Sequence, residues 1–144
     1  MYLLPFEIEV NGTQDIIALG NTLPQQEFFE LHRIQLTTDS PVIVEILGCK
    51  GTVLGTDITG QVTTSNVAQT IYSGLFKVFL NPKFTNPFRL KTGQLTYEHG
   101  WVDVVDQKDG ISISKGAYIV IRITGKARVT GNLLWMQPEG RRLV

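Results

Sequence analysis

The sequence predicts an all-β fold: a single-domain antiparallel β-sandwich or jelly-roll of roughly nine or ten short strands over residues 1–144. Three observations lead there. Of the 144 residues, 41 are Val, Ile or Thr and only 4 are Ala; branched side chains suit a pleated surface, whereas Ala is the best helix former. Apolar residues recur with a period of two in segment after segment. Turn signals, drawn from 14 Gly and 6 Pro, fall about every 8–12 residues.

Taken in order, Phe6, Ile8 and Val10 alternate with Glu7 and Glu9, a strand with one apolar face. Asn11-Gly12 then reads as a hairpin turn, with 15–19 as the return strand. A three-residue loop sets Ile8 opposite Ile16 and keeps that face apolar. Thr22 and Pro24 allow a helical start, but a second hairpin follows, 28–36 with 41–48, around the turn cluster Thr37 to Pro41. Gly48, Gly51, Gly55 and Gly60 punctuate the next stretch, and 61–70 reads as a loop or weak edge strand. Thr70 to Leu80 is strand-like. Asn81-Pro82 and Asn86-Pro87 bracket an irregular connection, because proline disfavours helix before it and cannot donate to a ladder.

Short strands at 88–91, 95–97 and 101–105 follow, divided by Gly93 and Gly100. Asp109-Gly110 reads as a turn, and Ile111 and Ile113 alternate with serines. Beyond Lys115-Gly116, one face carries Ala117, Ile119, Ile121 and Ile123, and the other Tyr118, Val120, Arg122 and Thr124. Ala127, Val129, Leu133 and Trp135 continue the alternation after Gly125. Residues 138–144 form a flexible tail carrying Arg141 and Arg142.

Charge excludes several function classes. Lys and Arg number 13, as do Asp and Glu, so the simplest nucleic-acid binder, which rests on excess cations, is excluded. No apolar run approaches the roughly 20 residues that span a bilayer, and the N-terminus lacks the basic region of a signal peptide. Neither a membrane partner nor export is expected. Cys49 is the single cysteine, so no intrachain disulfide forms, which fits assembly in a reducing compartment.

Candidate chemistry is sparse, and no cofactor, catalytic set or metal site is expected. The two histidines, His32 and His99, lie apart in sequence; His99 follows Glu98, but neighbours in a strand point to opposite faces. Cys49 beside Lys50 has a possible depressed thiol pKa, set against a small residue in a turn. Gly55 to Val62 approaches a phosphate loop but has Gln61 where lysine is required. Asp103, Asp106 and Asp109 are spaced by three, whereas an EF-hand spaces its acids by two. If 124–126 is a hairpin loop, Arg122 faces Arg128, an unfavourable pair unless an anionic partner covers both; in a long strand kinked at Gly125 they never meet. Tyr97 and Trp101 are candidates for stacking on a glycan.

Three stretches together set the character of the chain: Phe29 to Leu47 with its Thr37–Pro41 turn, the irregular strands from Asn81 to Trp101, and the strand–turn–strand from Ile111 to Trp135. In these the chain resembles the small β-sandwich (jelly-roll) structural proteins of bacteriophage virions. The resemblance implies a non-enzymatic capsid decoration, minor capsid or tail-associated role in the virion, assembled in the host cytoplasm. Its partners would be copies of itself or other virion proteins. The expected contacts are Thr70–Leu80, the termini Met1–Phe6 and Pro138–Val144, and the side chains Arg122, Arg128, Arg141 and Arg142. A carbohydrate-binding module using Tyr97 and Trp101 is the alternative, and a carboxylate-only enzyme a third.

Overall fold

A computed structural model of the chain describes residues 2–21, 28–64, 76–95, 102–114 and 116–136. Its elements are β1 (Tyr2–Asn21), β2 (Phe28–Thr38), β3 (Val42–Lys50), β4 (Leu54–Asp57), a 3-10 turn (Thr59–Gln61), β5 (Thr63–Thr64), β6 (Phe76–Lys83), β7 (Phe88–Leu95), β8 (Val102–Ser114) and β9 (Ala117–Met136). The described residues are nearly all strand, with antiparallel pairing throughout and no α-helix. The branched-residue excess therefore does what it predicts.

Two strands are not short. β1 and β9 are each 20 residues long and pair along almost their whole length, from Tyr2 opposite Trp135 to Gly20 opposite Tyr118. This ribbon is the spine. The other side of β1 takes β5 at Tyr2 and Leu3, then β6 at Ile17 to Asn21. The other side of β9 takes β3 at Ala117 to Gly125, then β2 at Val129 to Met136. β4 lies beyond β6, β7 beyond β3 and β8 beyond β2.

Neither predicted hairpin forms. Asn11-Gly12 lies inside β1, so Ile8 pairs with Val129 rather than Ile16. Gly12 stands opposite Gly125, with φ of +96° and +153°. Glycine tolerates these angles, so the ladder runs on through the pair instead of reversing. β2 and β3 likewise do not pair with each other. They run in the same direction, end to end, along β9, and the Thr37–Pro41 cluster makes a jog between them. The jog is pinned by the Asp39 amide donating to the Arg128 carbonyl at 3.3 Å and the Arg128 amide donating to Asp39 Oδ1 at 2.9 Å.

Bulges explain where the apolar alternation changes phase. Leu4 and Val10 on β1 join the main cluster from even positions, whereas beyond the inserted Ile16 it is Ile17 and Leu19 that join it and Ala18 faces the smaller cluster. The register shift between Asp15 and Ile17 inserts Ile16 and moves the pattern by one, as a β-bulge does. His32 plays the same part in β2, between buried Leu31 and buried Ile34 and Leu36. Opposite His32 the ladder from β2 passes from Ile111 to Asp106, so Asp109-Gly110 is not a turn between strands but an unpaired insert within β8. Asn81-Pro82 is likewise inside β6, and β7 runs on through Gly93.

Leu4, Val10, Leu19, Leu31, Ile34, Leu36, Val44, Ile46, Ile121, Val129, Leu133 and Trp135 are buried in one cluster, which draws on both halves of the spine. A smaller cluster of Ala18, Leu47, Cys49, Val53, Tyr118 and Val120 covers the opposite face of the β1–β9–β3 region. Each large aliphatic side chain so buried contributes about 1.5–3 kcal/mol. The predicted helical start at 22–27 and the segment 65–75 lie outside the described residues.

Candidate functional site

Arg122 and Arg128 lie on one continuous strand, and each meets an acid on β1. Arg122 stands opposite Asp15 and binds it twice, Nε to Oδ1 at 2.7 Å and Nη2 to Oδ2 at 3.3 Å. That fork raises the Arg122 pKa still further. Arg128 Nε lies 3.1 Å from Glu7 Oε1, with both side chains more than half exposed. Of the two alternatives, the hairpin that faced the two arginines does not form, and the long strand through Gly125 does; an acid from β1 meets each cation. An exposed pair such as Arg128–Glu7 adds little stability.

Beside this pair lies an open cleft of ≈ 350 Å³ whose lining includes Glu9, Asn11, Asp39, Ser40, Lys126 and Arg128. Its charges are balanced, and Asp39 is committed to holding the jog.

Cys49 is in β3 rather than a turn, buried at 1% exposure. Burial pushes its thiol pKa up, so the activated-thiol reading is corrected. We expect a thiol-specific reagent such as Ellman's reagent to leave Cys49 unmodified in the native protein and to titrate it on unfolding. Rapid native labelling would contradict its placement. His32 Nε2 lies 3.3 Å from Glu30 Oε2 without hydrogen-bond geometry. No group of three metal-ligating side chains occurs among the described residues.

The near-phosphate-loop segment folds as β4 and the 3-10 turn. Asp57 Oδ1 accepts the Thr59 amide at 2.9 Å and Oδ2 lies 3.4 Å from Lys77 Nζ. Hydrogen bonding from Thr59, with Lys77 beside it, holds the Asp57 carboxyl below its usual range. A lowered folded-state pKa stabilises above the unfolded value of about 3.9 and loses that effect as pH falls through the folded value. Asp57→Asn is therefore expected to flatten the acid limb of the thermal midpoint measured between about pH 5 and 2. An acid limb as steep as the wild type's would contradict this.

Tyr97, Trp101, His99, Arg141 and Arg142 lie outside the described residues, as does 138–144. Asp103 and Asp106 are placed on β8, opposite Gln35 and Arg33. Of the segments expected to make contacts, 138–144 and 70–75 lie outside the described residues, and Leu4–Phe6 pairs on one side only among them. Tyr2–Phe6 is paired to β9, and Phe76–Leu80 belongs to β6, which is flanked by β1 and β4.

The surface features that sequence reading missed are exposed apolar residues, Ile43 on the inner strand β3 and three on outer strands. Leu54 on β4 is 64% exposed, and Phe88 and Leu90 on β7 are 51% and 42% exposed. Among the described residues β4 pairs only with β6, and β7 only with β3. The sequence signal was present in Phe88 and Leu90 following Pro87, but one apolar run looks like another until pairing shows which strand is outermost. No helix among the described residues is long and apolar enough to cross a membrane. Comparison with protein families, with characterised proteins and with solved structures gives no match.

Proposed function

We propose that the protein is a non-enzymatic structural protein that assembles through protein–protein contacts, and that it is a bacteriophage virion component of the capsid-decoration, minor-capsid or tail-associated kind. The supporting observation is the set of exposed apolar side chains on two of the outer strands, β4 and β7. A strand edge is a template for another chain, and edges are ordinarily blunted by charge, proline or a covering element. β4 and β7 carry charge, in Asp57, Arg89 and Lys91, yet also present Leu54, Phe88 and Leu90 to solvent. The reading includes a two-layered β-sandwich, in which the sheet folds over at the Gly12–Gly125 pair. Side chains from both halves of β1 and β9 in one core support that arrangement.

The test is native mass by light scattering at micromolar concentration. Assembly gives a mass of several chains, whereas a stable 16.1 kDa species across the concentration range overturns the reading. Its virion half is tested by mass spectrometry of purified phage particles from a source that encodes the chain.

A further inference from the structure

Six strands run side by side in the order β4, β6, β1, β9, β3, β7. Every neighbouring pair is antiparallel, so strand direction alternates, and an even number of strands leaves β4 and β7 pointing in opposite senses. If β4 of one copy is laid beside β7 of another, the joint is itself antiparallel and the alternation continues across the boundary. A joint between two β7 strands would also be antiparallel, but it would bring Arg89 toward Arg89 and leave β4 uncovered.

The chemistry of the two edges is complementary. β4 offers Leu54 and Asp57; β7 offers Phe88, Arg89 and Leu90. Asp57 sits opposite Phe79, and Arg89 opposite Leu47. Phe79 and Leu47 both belong to the smaller apolar cluster, so the acid and the cation stand at register positions on the same face of the sheet. Each has a partner within its own chain, Lys77 for Asp57 and Glu45 for Arg89, yet Asp57 remains 45% and Arg89 66% exposed. Both can therefore be shared with a second molecule.

We infer that the chain assembles head to tail, β4 of one copy pairing antiparallel with β7 of the next, so that one sheet runs through successive copies. This rests on the self-assembly reading above and supplies its geometry. A joint between two different surfaces repeats from copy to copy, closing into a ring or extending as a filament rather than stopping at a dimer. Backbone pairing would supply affinity, and the exposed leucines and the Asp57–Arg89 pair would supply register.

Two variants test it, Leu54→Lys on β4 and Leu90→Glu on β7. Both side chains are exposed, and far-UV circular dichroism checks that the fold is kept. Wild type is expected above the mass of two chains. Each variant alone is expected to fall to 16.1 kDa, and an equimolar mixture to reassociate, because the first retains an intact β7 and the second an intact β4. If Leu54→Lys keeps the wild-type mass, or the mixture stays monomeric, the head-to-tail joint is wrong. A wild-type oligomer indifferent to both variants overturns this joint while leaving self-assembly standing. A monomeric wild type overturns both.

Discussion

Replacing Trp135 with alanine is expected to cost about 3–5 kcal/mol of stability, the largest effect of any single substitution considered. The indole is fully buried and stands between two other rings. Phe76 meets it edge-on, with centroids 5.2 Å apart, and Tyr2 is tilted against it at 5.8 Å. Tyr2 and Phe76 are themselves 5.1 Å apart. The three rings come from β9, β6 and β1, so removing the largest leaves a cavity among three strands that hold one another in register. The indole Nε1 has no hydrogen-bond partner. Trp135→Phe should therefore cost less than half as much, since it loses volume but no polar contact. Urea unfolding checks both through the shift in midpoint at constant slope. A loss below about 1 kcal/mol for Trp135→Ala would mean that the ring cluster is not packed as described.

A methyl group added at Gly20 is expected to cost about 1–3 kcal/mol, although Gly20 lies in a regular strand. Gly20 pairs directly with Tyr118, whose ring lies across the glycine and occupies the space a Cβ would need. The ring cannot simply swing away. Tyr118 is 8% exposed and packs with Phe79 at 6.2 Å and with the smaller apolar cluster. The test is a double-mutant cycle. Gly20→Ala in a Tyr118→Ala background should cost little or nothing, because the clash is gone, so the two single losses should not add. Additive losses would show that Gly20 matters for a reason other than the ring. Gly131 is built the same way: a Cβ there would overlap the Phe6 ring and come 2.8 Å from Leu36 Cδ2.

Much of the fold was legible without coordinates. Strand content followed from the branched side chains. The faces of β9 were readable residue by residue, because Ile119, Ile121, Ile123, Val129, Leu133 and Trp135 keep one parity across 17 positions and all reach the core. What misled was punctuation. Asn11-Gly12 and Gly125 carry the local chemistry of turns, yet a positive φ permits a bend as readily as a reversal. The choice lies with the partner strand. Once β1 and β9 lie side by side, Gly12 meets Gly125 and both chains pass through the pair with nearly all of their ladder intact.

The expected site fared differently for the same reason. Arg122 and Arg128 lie on one continuous strand, and the acids that meet them, Asp15 and Glu7, are more than 100 residues away in sequence and close only through the spine. Composition and two-residue periodicity alone determined that the chain would be antiparallel sheet, and along β9 which side chains would reach the core, because both depend on neighbours within a few residues. Which strands became neighbours, which ones were left outermost, and hence that Leu54, Phe88 and Leu90 stand in solvent, was decided by long-range pairing. Hydrogen bonding between strands is nearly indifferent to sequence, so register and order are settled by how the whole set of apolar faces closes on itself.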